Sequence, residues 1–350
     1  MSISIKLNQI SHRRLNILTG EWILVSPHRL NRPWQGSIEK RSEIKLPEYV
    51  EDCYLCPGNL RANGERNPDY KNQFVFLNDY SALTNVNNIE TNSVNLLVAK
   101  PESGICKVVC FSPKHNLTLP LMESKDIINV VDVWQNEFIE LSKMRNINYI
   151  QIFENKGELM GCSNPHPHCQ IWAQESIPTL PMKETKCMKD YFSKKRNCLL
   201  CDYIEVEKKA GERIIYENDD FILLIPFWAT WPFELLIVSK RHIKDLGNFS
   251  KTEKLSFAEI LKLATTKYDN LFNISFPYSS GIHQAPTDNN EHTEWHFHMH
   301  FYPPLLRAAD VRKFMVGYEM LAEPQRDITP ETAAEILRKT SNIHFSKTTV

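Results

Sequence analysis

The run Gly161-Cys162-Ser163-Asn164-Pro165-His166-Pro167-His168-Cys169-Gln170 puts two imidazoles two residues apart, each behind a proline, with an amide two residues further on. In an extended chain, side chains at i, i+2 and i+4 share one face. His166, His168 and Gln170 are therefore predicted to point into one site. Proline fixes φ and withholds an N–H, so the strand should be stiff and lie near a sheet edge or bulge. A neutral imidazole is a good nucleophile toward phosphorus, and its ordinary pKa leaves much of it neutral at pH 7. The competing reading is a pair of surface histidines in a proline-rich loop. The Gly-x-Ser entry and the glutamine exit favour chemistry.

Metal ligation is the second chemistry in the sequence. Cys53-x-x-Cys56 is half of a tetrahedral zinc site and needs two more ligands. The spacing nominates His115, at the end of a strand-like run, and one histidine of the His-Pro-His run. If zinc takes His166, then His168 stays free for chemistry, two residues from a metal anchor. Cys198-x-x-Cys201 could bind a second zinc with His242, or could be two small buried hydrophobes. His283, His292, His296, His298 and His300 crowd around Trp295. His296, His298 and His300 share a face if extended, which suits iron or zinc with a carboxylate partner. A solvated histidine-rich edge competes with that reading.

Groups suited to phosphate and nucleoside are fewer. Arg29 and Arg32 lie in a proline-bounded loop beside Trp34. Their forks suit phosphate oxygens, and the indole could flank a base. Asn78-Asp79 could hydrogen-bond a ribose or a pyrimidine edge, although the pair is also ordinary turn chemistry. Neither a Gly-x-Gly-x-x-Gly run nor a Walker A loop occurs, so phosphate should be held by side chains and by backbone near Gly161 and Ser163.

These groups sit in elements that occur twice in the same order. The first half runs from Cys53-x-x-Cys56 through strand-like Phe74–Leu77, Asn78-Asp79, Leu96–Val98 and Val108–Phe111 to Ser112-Pro113-Lys114-His115. The second runs from Cys198-x-x-Cys201 through Ile214–Tyr216, Asn218-Asp219-Asp220, Phe221–Ile225 and Leu235–Val238 to Ser239-Lys240-Arg241-His242. Their alternating, β-branched character predicts strands. A helix should follow in each half. Ile127, Val130, Val131, Trp134, Phe138 and Leu141 recur at helical spacing after Ser124. Phe257, Leu261, Ala264, Tyr268 and Leu271 do so after a Ser250-x-x-Glu253 capping box. Each half then ends on a His-x-His. A last helix should start at Thr329-Pro330-Glu331. The expected architecture is α+β: a duplicated unit, mainly antiparallel sheet in a half-barrel, with helices packed on one side.

At 350 residues the chain can hold one large domain or two ordinary ones, and we divide it at 1–190 and 191–350. A hydrophobic content of 42% with 24% charged residues is that of a soluble globular protein. The net charge of −1 supplies no field to draw it to nucleic acid or an anionic membrane. The first residues lack the apolar core of a signal peptide, and no stretch is long and apolar enough to span a bilayer. Nine cysteines without a secretory signal read as thiols and metal ligands in the cytosol.

Together the residues resemble the galactose-1-phosphate uridylyltransferase family, a transferase branch of the histidine-triad superfamily. The likeness runs from about Leu15 to Phe345 and includes the runs SPHRLNRPWQG, FSPKH, FENKGELMGCSNPHPHCQIWA, WPFELLIVSKRH and FHMHFYPPLLRAADVRKFMVGYEMLAEPQRD. It implies two histidine-triad-like repeats and a ping-pong transfer in galactose metabolism. UDP-glucose would give its uridylyl group to His168, releasing glucose 1-phosphate, and galactose 1-phosphate would take it up as UDP-galactose. By matching motif, Gln170 and Ser163 would hydrogen-bond the phosphoryl oxygens. Arg29, Arg32, Asn78, Asp79, Asn155, Gly161 and Cys162 would surround the uridine and its phosphates. Lys313, Val316, Tyr318, Glu319 and Gln325 would hold the hexose phosphate, contributed across a homodimer. Zinc would be held by Cys53, Cys56, His115 and His166. A second metal, iron or zinc, would use Glu184, His283, His298 and His300. A nucleotide phosphorylase or hydrolase of the same superfamily would not need the segment Lys313–Gln325.

Overall fold

The computed structural model describes residues 7, 9–31, 46–84, 95–308, 311–313 and 315–348. Arg32 and Trp34 lie outside them.

The strand-forming runs pair into one nine-stranded sheet in which every neighbouring pair is antiparallel. Two short strands precede it in the chain, β1 (His12–Leu15) and β2 (Trp22–Val25). The first half then contributes β3 (Phe74–Leu77), β4 (Gly104–Cys110), β5 (Tyr149–Lys156) and β6 (His168–Gln174). The second contributes β7 (Ile214–Glu217), β8 (Phe221–Leu224), β9 (Leu235–Ser239), β10 (Tyr278–His283) and β11 (His298–Tyr302). Their order is β3-β4-β6-β5-β10-β11-β9-β8-β7. Read outward from the β5·β10 pair, both halves give the same sequence of strands, with β7 added at one edge. The repeated order along the chain thus becomes a two-fold pattern across one continuous, unclosed sheet.

The expected long helices form as α1 (Ser124–Ser142) and, beyond two intervening helices, α4 (Lys251–Phe272). Both lie on one side of the sheet. There Trp134 and Phe257 pack against Val109, Ile150 and Ile171 of the first half and Phe221, Leu223 and Ile237 of the second. The capping box at α4 is present: Ser250 Oγ accepts from the Glu253 amide at 3.2 Å, and Glu253 Oε2 accepts from the Ser250 amide at 2.8 Å. α1 begins behind Glu123, which makes no side-chain cap.

The other side of the sheet is covered differently in the two halves. Over the first half, a loop carrying Cys53, Leu55, Cys56 and Tyr70 packs on Val108 and Cys110. Over the second half lie α2 (Thr179–Lys195) and α3 (Leu199–Ala210), whose Met188, Leu200, Tyr203 and Ile204 pack on Ile222, Leu224, Leu236 and Val238. β8 and β9 are therefore buried on both faces, which is why they read as unbroken apolar runs. These two helices add to the one-sided packing expected from sequence. α2 buries only Pro181, Glu184 and Met188, too sparse a stripe to mark it as a helix beforehand. Of Leu96–Val98, expected as strand-like, Leu96 lies in a turn, Leu97 makes a lone bridge and Val98 is irregular, all three with exposed side chains. Three apolar residues without a covering layer do not make a buried strand.

A small sheet, β1-β2-β14 with β14 at Gln325–Arg326, ties the chain's two ends together. A two-stranded ribbon, β12 (Leu305–Ala308) with β13 (Val311–Lys313), and the short α5 (Tyr318–Leu321) precede it. The final helix, α6 (Pro330–Lys339), starts as expected with Thr329 Oγ1 accepting from the Thr332 amide. From its first turn Glu331 receives both arms of the buried Arg14 guanidinium, at 2.8 and 3.0 Å, and Arg213 Nη1 at 2.7 Å. Arg213 in turn pairs with the buried Glu207 of α3.

Candidate active site and metal centres

Along β6 the side chains alternate as a half-buried strand requires. His168, Gln170, Trp172 and Gln174 stand half-buried on one face, while Cys169, Ile171 and Ala173 are buried on the α1 side. Cys169 meets the Trp134 indole there at 3.1 Å, away from His168. The face sharing expected for His166, His168 and Gln170 holds for the last two only. β6 starts at His168, and His166 sits in a bend before it, fully buried beside Cys56, His115 and Tyr70. The alternation of a strand does not extend back through Pro167.

His166 and His168 are nevertheless linked. His168 Nδ1 lies 2.7 Å from the His166 carbonyl. A carbonyl only accepts, so Nδ1 carries the proton and Nε2 keeps the lone pair. Burial pushes the His168 pKa down and favours the neutral ring, against the opposing pull of that carbonyl. Next along the face, Gln170 Oε1 accepts from Trp172 Nε1 at 3.0 Å and from Asn78 Nδ2 at 3.3 Å. With its oxygen used twice, Gln170 keeps its NH2 as a donor. The outcome is a neutral imidazole with an unprotonated Nε2 beside an oriented amide. Nucleophilic attack and hydrogen bonding to an oxyanion are within the reach of such a pair.

The residues around this face are placed as follows. Asn155 accepts from Ser279 Oγ at 2.7 Å across the β5·β10 pair. Asp79 is 3.6 Å from Arg61. Gly161 has φ +77°, a left-handed conformation suited to glycine, at the turn into Cys162 and the exposed Ser163. Cys162 Sγ reaches the Asn164 carbonyl at 3.0 Å. Arg29 stands 3.5 Å from Asp327, and Asp327 also accepts from Gln325 Nε2 at 2.7 Å. Glu319 lies 3.5 Å from Arg326, and Val316 and Tyr318 are exposed. Lys313 ends β13. Arg29 and Gln325 thus meet at the small sheet, whereas His168, Gln170 and Asn155 stand on the large one.

Cys53, Cys56, His115 and His166 converge, with ligand atoms within 4.8 Å of one another. His115 Nδ1 is 3.6 Å and His166 Nδ1 3.4 Å from Cys56 Sγ. Tetrahedral zinc sets its donors roughly 3.3–3.8 Å apart. His166 Nε2 contacts the Ser112 carbonyl at 2.9 Å, so it bears the proton and Nδ1 presents its lone pair to the thiols. Burial depresses His166 to about 4 and raises Cys56 to about 11. Two thiols and two imidazoles fit a structural zinc. The partners that orient them, the Ser112 carbonyl and the Tyr70 hydroxyl beside His166, had no signal in the sequence beyond the Ser-x-x-His spacing.

Glu184, His283, His298 and His300 form a second buried cluster. α2 carries Glu184 across the sheet face that bears His168 and Gln170. The register places His300 opposite Gly281, and Gly281 opposite Phe153, which faces Gln170. The Glu184 oxygens lie 2.9 and 3.0 Å from His283 Nδ1, with His298 Nε2 at 3.5 Å and His300 Nε2 at 3.8 Å. Burial raises the Glu184 carboxyl, but His283 and His298 outweigh it and hold it well below the usual range. Among the described residues, His298 Nε2 and both nitrogens of His300 are buried without a hydrogen-bond partner. Orphaned lone pairs around a carboxylate fit a metal of borderline hardness, iron or zinc.

His296 does not share the face of His298 and His300, contrary to the expectation for an extended run. β11 starts at His298, and His296, before it, is turned instead toward the N-terminus of α3, its Nδ1 3.2 Å from Cys198 Sγ.

Comparison with known proteins agrees along the whole chain. The profile of the galactose-1-phosphate uridyl transferase N-terminal domain matches residues 2–178, and that of its C-terminal domain matches 184–349. The galactose-1-phosphate uridylyltransferase of Haemophilus influenzae is 50% identical, over 97% of this chain and 97% of its own. That of Saccharomyces cerevisiae is 48% identical over 96% of each. Among solved structures, an ADP-glucose phosphorylase from Arabidopsis thaliana with bound ADP-glucose superposes with a TM-score of 0.75 at 26% identity, covering 95% of this chain and 99% of that one. This chain is a transferase and belongs to the galactose-1-phosphate uridyl transferase family.

Proposed function

We propose that the chain moves the uridylyl group of UDP-glucose to galactose 1-phosphate in galactose metabolism, through a covalent intermediate on His168. His168 Nε2 attacks the phosphorus attached to uridine. The N–P bond forms as the P–O bond to glucose 1-phosphate breaks, and glucose 1-phosphate leaves. A phosphate oxygen of galactose 1-phosphate then attacks the same phosphorus, the N–P bond breaks, and UDP-galactose departs. The observation that carries this reading is the 2.7 Å contact between His168 Nδ1 and the His166 carbonyl, which leaves Nε2 unprotonated. Gln170 donates to the phosphoryl oxygens as charge develops, with Ser163 beside it. Arg29, Arg32, Asn78, Asp79, Asn155, Gly161 and Cys162 take the uridine and its phosphates.

A zinc held by Cys53, Cys56, His115 and His166 would supply a rigid cross-link behind the nucleophile. Glu184, His283, His298 and His300 would hold the second metal, iron or zinc. The hexose phosphate is assigned to Lys313, Val316, Tyr318, Glu319 and Gln325 of a neighbouring copy in a homodimer. The exposed apolar side chains of Val316, Tyr318, Met320 and Leu321 support that assignment. The two units, 1–190 and 191–350, are read as duplicated histidine-triad-like repeats. Among the described residues no helix is long and apolar enough to cross a membrane, and the proposed compartment is the cytosol.

One mixed assay tests the reading. Protein incubated with UDP-glucose and galactose 1-phosphate should form UDP-galactose and glucose 1-phosphate in equal amounts. Turnover of ADP-glucose with inorganic phosphate instead would put the chain with the phosphorylases.

A further inference from the structure

Cys198, Cys201, His242 and His296 belong to neither cluster used above, yet both histidines reach the same pair of thiols. Cys198, Cys201 and His242 have ligand atoms within 4.8 Å of one another. His296 Nδ1 is 3.2 Å from Cys198 Sγ and 3.5 Å from Cys201 Sγ. The geometry points to a third metal centre here, a zinc site with two thiolate and two imidazole ligands.

Three features carry the assignment. First, both histidines are oriented as ligands. His296 Nε2 lies 2.7 Å from the Ser239 carbonyl, and His242 Nε2 lies 2.8 Å from the Trp295 carbonyl. Each Nε2 therefore bears the proton, and each Nδ1 keeps its lone pair. A disulfide between the two cysteines would need neither ring.

Second, the arrangement repeats the Cys53 cluster across the sheet. In both places a Cys-x-x-Cys from the covering layer meets the histidine of a Ser-x-x-His run and the first histidine of a His-x-His. In both, the serine carbonyl holds that first histidine, Ser112 with His166 and Ser239 with His296.

Third, Cys198 is the N-cap of α3 and Cys201 lies in its first turn, where the backbone amides and helix dipole favour thiolate. Thiolate and imidazole together select zinc over harder cations. The ion would pin α3 to the residue two before His298, and so hold the strand that supplies His298 and His300 to Glu184.

The test is metal content of the full-length protein, grown and purified with zinc. A Cys198→Ser/Cys201→Ser double variant should lose one metal equivalent per chain, additive with the one lost from Cys53→Ser. His242 is exposed, so His242→Ala keeps the fold independent of the outcome. It should release one zinc per chain to a competing chelator at least about tenfold faster than wild type. Wild-type metal content in the folded double variant, or unchanged release from His242→Ala, would overturn the proposal. So would an intact Cys198–Cys201 disulfide in the zinc-grown protein.

Discussion

His168 and His298 occupy the same place in the two halves of the sheet, and they have different surroundings. Each starts a strand, and each presents Nδ1 to the carbonyl of the histidine two residues before it, at 2.7 and 2.9 Å. Each preceding histidine is turned away into a cluster with two cysteines. The difference lies in what faces Nε2. His168 is partly open, beside Gln170. His298 is fully buried, with Glu184 from α2 at 3.5 Å. One backbone device thus delivers an unprotonated Nε2 in both halves, and the covering layer decides its use. Where a loop covers the sheet, the nitrogen can meet a substrate. Where a helix brings a carboxylate over it, the nitrogen faces Glu184 instead.

The largest effect should separate the two histidines. His168→Ala should lower transfer at least about 10⁴-fold, as loss of a nucleophile does, with its metal content unchanged. His298→Ala should instead lose one metal equivalent per chain and retain more transfer activity than His168→Ala. Equal loss of activity, with metal retained in both, would erase the distinction drawn above. Rates and elemental analysis on the same preparations decide it.

The next effects test what holds each half. Cys53→Ser should release the zinc behind His166 and lower the melting temperature, because binding energy at such a site is folding energy. Unchanged zinc would remove that site. The second half is also clamped to the chain's first residues by Arg14, Glu331, Arg213 and Glu207. Glu331→Ala leaves two buried guanidiniums short of a partner and should cost about 3–5 kcal/mol in denaturant unfolding. A cost below about 1 kcal/mol would mean the network relaxes into solvent. The smallest effect compares the long helices. Ser250→Ala removes a cap and should cost about 1 kcal/mol. Ser124→Ala, at a helix start without a side-chain cap, should stay within about 0.5 kcal/mol.

Much of this was readable in the residues, for identifiable reasons. Helical spacing from Ile127 to Leu141 and the box at Ser250 mark α1 and α4, because burial and capping each leave a local pattern. The repeated order of Cys-x-x-Cys, strands, Ser-x-x-His, helix and His-x-His foreshadows the two-fold sheet. Two things were not readable. α2 buries little, so the helix that carries Glu184 has no apolar stripe, and Glu184 came only from the family resemblance. Strand starts at His168 and His298, rather than two residues earlier, depend on where pairing begins. That choice frees His166 and His296 from the strand alternation and turns them into the cysteine clusters of the covering layer.

The covalent step is the most direct test of the whole account. Protein incubated with uridine-labelled UDP-glucose and no acceptor should become labelled on His168 and release an equal amount of glucose 1-phosphate. The bond should be stable to base and labile to acid, as a phosphoramidate is, and galactose 1-phosphate should discharge it as UDP-galactose. Label retained by His168→Ala, or mapped to Cys169 on the opposite face of the strand, would contradict the assignment of the nucleophile.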